Sequence, residues 1–154
     1  MERTTSPPPR EFEWRLPRSP RSVGRARSLL AGQARDWKVP DDVADTAVLL
    51  LSELMTNAVR HGRVPAGREV EARCVLGGGV LRVEVADASD ALPCPRSAGP
   101  DDESGRGLAL VELLADGWGA RPRPYGIGKA VWFELTLPGA EADGPPPGDG
   151  GSPR

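Results

Sequence analysis

Glu69-Val-Glu-Ala-Arg-Cys-Val-Leu-Gly-Gly-Gly-Val-Leu-Arg-Val-Glu-Val-Ala-Asp87 holds two runs of alternating character around three glycines. Side chains of a strand point to opposite faces in turn. Val70, Ala72, Cys74 and Leu76 of the first run therefore share one buried face with Leu81, Val83 and Val85 of the second. Gly77-Gly78-Gly79 supplies the backbone freedom of a tight turn, so the stretch reads as a β-hairpin of antiparallel strands. By the same parity Asp87 falls on the buried face at the end of the hairpin.

Upstream of the hairpin, Glu11-Phe-Glu-Trp-Arg-Leu16 alternates Phe12, Trp14 and Leu16 against charged neighbours and predicts another half-buried strand. Ser19-Pro20 supplies an N-cap and a first-turn proline for a helix carrying Val23, Ala26, Leu30 and Trp37 and ending before Pro40. Asp41 or Asp42 then caps a helix to about Gly62. Its stripe of Val43, Ala47, Leu50, Leu51, Leu54 and Ala58 is widened by Val48, Met55 and Val59, which makes it the central, most buried helix.

Downstream, 90 to 104 reads as a loop, Leu108 to Ala115 as a short buried helix stopped at Asp116-Gly117, and Gly117 to Arg121 and Lys129 to Leu137 as strands. The order strand, two helices, hairpin, loop, helix, hairpin implies an α/β (α+β) two-layer sandwich: a mixed, mostly antiparallel sheet with its helices on one face. The domain is expected over 11–138. Residues 1–10 and 139–154 have almost no large apolar side chains to offset the entropy of ordering, and disorder is expected there.

Twenty basic against 22 acidic residues give a formal net charge of -2, so no positive field is available to neutralise a phosphate backbone, and direct nucleic-acid binding is not expected. The two cysteines, Cys74 and Cys94, lack C-x-x-C or Cys/His spacing, which argues against a disulfide or metal framework. The N-terminus has no apolar signal-like run and no stretch reaches the length of a membrane span, so no membrane partner is expected and the chain reads as cytoplasmic.

Three short signatures carry chemistry. On the central helix Glu53 and Asn57 lie four residues apart and neighbour each other beside the apolar stripe, with Arg60 and His61 a turn later. Asn is a neutral oxygen ligand for Mg²⁺, and Glu beside an attacking hydroxyl or water can orient it and accept its proton; without such neighbours the pair is an ordinary solvated helix face. Asp87 on the buried face requires a donor, for which an adenine exocyclic amine is a candidate. Alternatively it turns outward into an Asx-turn with Ser89 or Asp90. Gly105-Arg106-Gly107, with Ser104 as a cap, precedes an apolar helix, where glycines and free amides suit phosphate oxygens, or simply form a flexible loop. Lys129, on the buried parity of the last strand, is either a further phosphate contact or a strand-edge lysine.

Taken together, Leu51-Ser-Glu-Leu-Met-Thr-Asn-Ala-Val-Arg-His-Gly62, Val85-Ala-Asp-Ala-Ser89 with Pro93, and Gly105-Arg-Gly-Leu-Ala-Leu-Val111 resemble the N, G1 and G2 boxes of the GHKL (histidine-kinase-like) ATPase superfamily. Closest are its small stand-alone members of the anti-sigma-factor serine/threonine kinase type. The resemblance implies a Bergerat-like ATP-binding fold with ATP and Mg²⁺ as cofactors. It implies Asn57 on the metal, Glu53 as base or hydroxyl-orienting group, and Asp87, with Ser89 beside it, on the adenine side. Arg60, Gly105, Arg106, Gly107 and Leu108 fall on the phosphate side, and 90 to 104 is the ATP lid. The G1 box departs from the longer D-x-G-x-G form, having Ala88, Ser89, Asp90 and Ala91.

The resemblance implies a kinase moving the γ-phosphoryl group of ATP to a serine or threonine of a partner, an anti-sigma-factor antagonist, with a sigma factor as the other partner of a switch. A non-catalytic ATP-dependent protein-binding module needs the same pocket and stays open. So does a kinase fragment acting in trans on another protein's histidine, since His61 lies inside the N-box helix. A homodimer is compatible with each.

Overall fold

A computed structural model describes residues 8–61, 69–87, 103–122 and 128–139. Side chains are described throughout these ranges except at His61 and residues 103–108. Chain order is β1 (Arg10–Pro17), α1 (Pro20–Asp36), α2 (Asp41–His61), β2 (Glu69–Gly77), β3 (Val80–Asp87), α3 (Glu103–Leu114), β4 (Gly117–Pro122) and β5 (Lys129–Thr136). Strand β1 starts at Arg10, a residue expected to lie in the N-terminal tail, because Arg10 pairs with Leu76 along the full length of β2. Residues 1–7 and 140–154 of the expected tails lie outside the described residues.

The five strands lie in the order β1-β2-β3-β5-β4, and every ladder is antiparallel. The expected mixed character survives only in direction. The crossover through α3 returns β4 parallel to β3, but β5 inserts between them and pairs antiparallel with both. The glycine turn is tighter than three residues: Gly77 pairs with Val80, leaving Gly78 (φ 61°) and Gly79 (φ 75°) as a two-residue loop. Positive φ at both central positions matches the right-handed twist of the strands and excludes most side chains there.

The helices cover one face. Leu50, Leu51, Leu54 and Met55 of α2 pack with Ala26 and Leu30 of α1 and with Val70, Cys74, Leu81, Val83 and Phe133 of the sheet in one apolar core. Each of these side chains is at most 3% exposed, and burying an aliphatic or aromatic side chain of this size contributes roughly 1.5 to 3 kcal/mol. Helix α3 contributes less than its composition promised. Val111 is fully buried, but Leu113 is 76% and Leu114 40% exposed, so one stripe of the helix packs and the rest faces outward.

Helix ends are set by local chemistry. The Ser19 hydroxyl accepts from the Arg21 amide at 3.3 Å, and Pro20 occupies the first turn of α1. Trp37 caps the C-terminal end instead of extending the helix. The Lys38 amide bonds the Arg35 carbonyl at 3.0 Å and the Val39 amide bonds the Ala34 carbonyl at 2.9 Å, while Lys38 takes a left-handed φ of 60°. This is a Schellman ending, with buried Val39 and Ala34 as its apolar contact. For α2 the cap is Pro40, whose carbonyl accepts from Ala44 at 2.9 Å. Asp41 and Asp42 sit inside the first turn, where negative charge suits the helix dipole, and Asp42 accepts from the Val43 amide at 2.9 Å.

The opposite sheet face carries its own network. Arg82 donates to Glu134 at 3.1 Å and lies 4.1 Å from the centre of the Trp132 ring, while Arg121 reaches Glu84 at 2.6 Å. Trp132 is thereby 6% exposed although no helix covers that face. Its ring lies over Gly119 of β4, where a Cβ would stand 2.6 Å from Cζ2.

Candidate functional site

Asp87 and Lys129 lie at one end of the sheet, and the ladders show which end. Pro17, closing β1, pairs with Glu69, opening β2; Glu71 pairs with Ala86; and Asp87, closing β3, pairs with Lys129, opening β5. Helix α2 finishes there as well. Arg18, just beyond β1, donates from Nε to the Ala58 carbonyl at 3.3 Å and from Nη2 to the Val59 carbonyl at 3.4 Å, satisfying groups that the last turn leaves without helical partners.

Helix α3 runs the other way. Its last residue, Leu114, lines a hollow of about 160 Å³ with Asp42 at the start of α2 and Thr136 at the end of β5, so its first turns point toward the Asp87 end.

Asp87 is 2% exposed, in agreement with the parity of its strand and not with an outward Asx-turn. Lys129, 9% exposed, faces it across the ladder, Nζ to Oδ2 4.0 Å. At that separation the charges attract, but the distance exceeds that of a hydrogen bond. The carboxylate and ammonium therefore form the terminal rung of a stack whose preceding rungs, Val85 with Val131 and Val83 with Phe133, are apolar. Burial of the carboxylate is tolerable because a cation shares the site.

On α2, Glu53 and Asn57 are half-buried one turn apart, and Arg60 is exposed beyond them. Asn57 and Arg60 thus belong to the last two turns, at the Asp87 end, and Glu53 lies a turn further in. Gly105, Arg106, Gly107 and Leu108 sit differently from expectation: they belong to α3, which starts at Glu103, and do not precede it. An acidic residue at the first helical position suits the helix dipole, and glycine is permitted in a first turn. The amides that a helix start leaves without helical partners are then those up to Gly105, with Gly107 and Leu108 inside the hydrogen-bonded run. Ser89, Pro93 and most of the 90 to 104 segment lie outside the described residues, as does the His61 side chain.

Among the described residues no three His, Cys, Asp or Glu side chains gather into a metal cage. A cation at Asn57 would take most of its ligands from elsewhere, which is how Mg²⁺ is held when it arrives on substrate phosphates. Cys74 is free and buried in β2, and burial pushes its thiol up to about 12, so it is not a nucleophile at neutral pH. On the open face, the Arg73 guanidinium holds the Glu11 carboxyl below its ordinary 4.5. None of the described helices is long and apolar enough to cross a membrane.

Strand parity in the sequence was enough to bury Asp87 but left Lys129 between two roles. The signal lies in the register: once Val83 is opposite Phe133, counting outward brings Asp87 to Lys129.

Comparison with known proteins adds a family. A family model described as the histidine kinase-like ATPase domain matches residues 16–133. An uncharacterised protein of Streptomyces coelicolor is 37% identical over 75 residues, 47% of this chain and 70% of that one. Among solved structures the chain is similar to the blue-light activated histidine kinase of Erythrobacter litoralis EL346, with 30% identity, 64% of this chain and 32% of that one, and TM-score 0.48. It is also similar to the histidine kinase domain from that protein, with 24% identity, 79% and 62% coverage, and TM-score 0.47. The chain therefore spans less than two thirds of either solved structure.

Proposed function

The chain belongs to the histidine kinase-like ATPase domain family, and from that premise we propose that it is an ATP-binding regulatory protein of the anti-sigma-factor serine/threonine kinase type. The observation that carries the ATP reading is Asp87: an acceptor 2% exposed at the sheet end where the last turns of α2 and the first turns of α3 also arrive. A buried carboxylate there suits the exocyclic amine of adenine, because a site built to accept such a donor is left unsatisfied by a base that lacks it.

In this reading Asn57 holds Mg²⁺ together with the nucleotide phosphates, and Arg60 and the start of α3, Gly105 to Leu108, lie toward the phosphate side. Mg²⁺ supplies screening of the phosphate charge. Glu53 orients the hydroxyl of a serine or threonine on the partner and takes its proton as that oxygen bonds to the γ-phosphorus and the bond to the ADP oxygen breaks. The partner is an anti-sigma-factor antagonist, and its phosphorylation switches which protein the chain binds.

Two measurements test the reading. Equilibrium binding of ATP should be tight in wild type and weakened by roughly 100-fold in Asp87→Asn, the scale of a lost charge-assisted hydrogen bond with its unpaired donor. Transfer from labelled ATP to a candidate antagonist should fall by about 100-fold or more in Glu53→Ala, on the general-base scale, with ATP binding retained. ATP binding without transfer to any antagonist would replace the kinase by a nucleotide-dependent binding module; no ATP binding would end both.

A further inference from the structure

Lys129 was readable from sequence as a phosphate contact or as a strand-edge lysine, and the ladder offers a third role. It is the first residue of β5, on the same face as Val131, Phe133 and Leu135, and directly opposite Asp87. A strand-edge lysine that discourages aggregation is exposed on an outer strand. Lys129 is 9% exposed on a strand flanked on both sides, by β3 and β4.

A lysine placed for phosphate would have its ammonium among anion-binding groups. Here it faces the Oδ2 of Asp87, at 4.0 Å. At that distance the ammonium sets the field in which the carboxylate sits without closing a hydrogen bond to that oxygen. A carboxylate has about four acceptor positions.

We propose that Lys129 is a positioning residue for recognition of the nucleobase: it holds the Asp87 carboxylate as an oriented anion that accepts from an exocyclic amine, and it does not contact the phosphates. The inference rests on the reading of Asp87 as the base-recognition residue. It predicts that Lys129 acts through Asp87, which a double-mutant cycle measures directly.

The experiment is equilibrium binding of ATP, ADP and adenosine to the full chain as wild type, Lys129→Met, Lys129→Gln, Lys129→Arg, Asp87→Asn and the Asp87→Asn/Lys129→Met double variant. Each protein is first checked for a cooperative urea transition. Lys129→Gln serves if the methionine variant does not fold.

Removal of the ammonium should weaken all three ligands by one common factor, roughly tenfold, at the lower end of what hydrogen bonds to charged groups contribute. Lys129→Arg should recover most of it. In the Asp87→Asn background the same removal should change binding by less than about twofold, since the group it acts through is gone. A loss that grows from adenosine to ATP would make Lys129 a phosphate contact, and an equal loss in both backgrounds would make it independent of Asp87; either overturns the inference while leaving the ATP reading intact. Wild type binding none of the three ligands would remove the ATP reading itself, and this inference with it.

Discussion

Gly119→Ala tests how the helix-free face of the sheet is held. The backbone at Gly119 is not in the left-handed region, so conformation alone permits alanine. Space does not: the new Cβ would lie 2.6 Å from Cζ2, 2.8 Å from Cε2 and 3.0 Å from Nε1 of Trp132, against ordinary contacts of 3.4–4 Å. The ring must therefore retreat by nearly an ångström or β4 must move away from β5. Retreat is opposed by Arg82, 4.1 Å from the ring centre and tied to Glu134 at 3.1 Å. Overpacking of this kind costs about 1 to 3 kcal/mol, and disturbing the stacked guanidinium adds about 0.5 to 1 kcal/mol. Alanine recovers about 0.5 to 1 kcal/mol of strand preference over glycine, which leaves a net loss of about 1 to 3 kcal/mol. Urea denaturation followed by far-UV circular dichroism and by tryptophan fluorescence measures it. Trp132→Leu combined with Gly119→Ala should cost less than the sum of the single changes, because the smaller side chain removes the clash. A Gly119→Ala protein as stable as wild type, or more stable, would refute the claim that Gly119 exists to seat Trp132.

Lys38 holds a left-handed φ of 60° in the Schellman ending of α1; Lys38→Gly should raise stability by about 0.5 to 1 kcal/mol, measured as a higher urea midpoint with unchanged slope. Cys74 has its thiol raised from 9.0 to about 12 by burial. The unfolded chain therefore loses this proton first as pH rises, and stability should fall between about pH 9 and pH 12, by at most about 1.4 kcal/mol per unit, with the effect absent in Cys74→Ala. In a Cys94→Ser background, which leaves one thiol, alkylation at neutral pH should be negligible until denaturant is added.

The hairpin, the two helices before it and the strand alternation were readable because each rests on a local period matched to one buried face. Val70, Cys74, Leu81, Val83 and Phe133 all lie in the core that parity assigned them. Burial on the far face was not readable. Trp132 and Glu84 alternate with core residues as solvent-facing positions should, yet they are 6% and 9% exposed. Trp132 sits between Gly119 and Arg82, and Glu84 meets Arg121 of β4 and Arg73 of β2, neighbours that exist only once the strand order is known. The start of α3 was missed for a related reason. Gly105 and Gly107 argue for a loop on propensity, but Glu103 at the first turn and Val111 against the core recruit them into the helix. For the site, parity was enough to bury Asp87, whereas its partner Lys129 required the register between two strands separated by all of α3 and β4.

The order of strands makes the sheet two hairpins, β2 with β3 and β4 with β5, meeting at the seam between β3 and β5, with β1 added along the outer edge of the first. Each hairpin closes a short stretch of chain, but the seam closes across α3, where the loop entropy is larger and pairing comes later. Asp87 and Lys129 are the last rung of that seam. In the proposed reading a nucleobase held by Asp87 favours the arrangement in which Lys129 faces that carboxylate, so its binding energy adds to the stability of the closed seam by mass action. The proposed reading then has a consequence away from the pocket: amide exchange along β4 and β5 should slow on saturation with ATP more than exchange along β1.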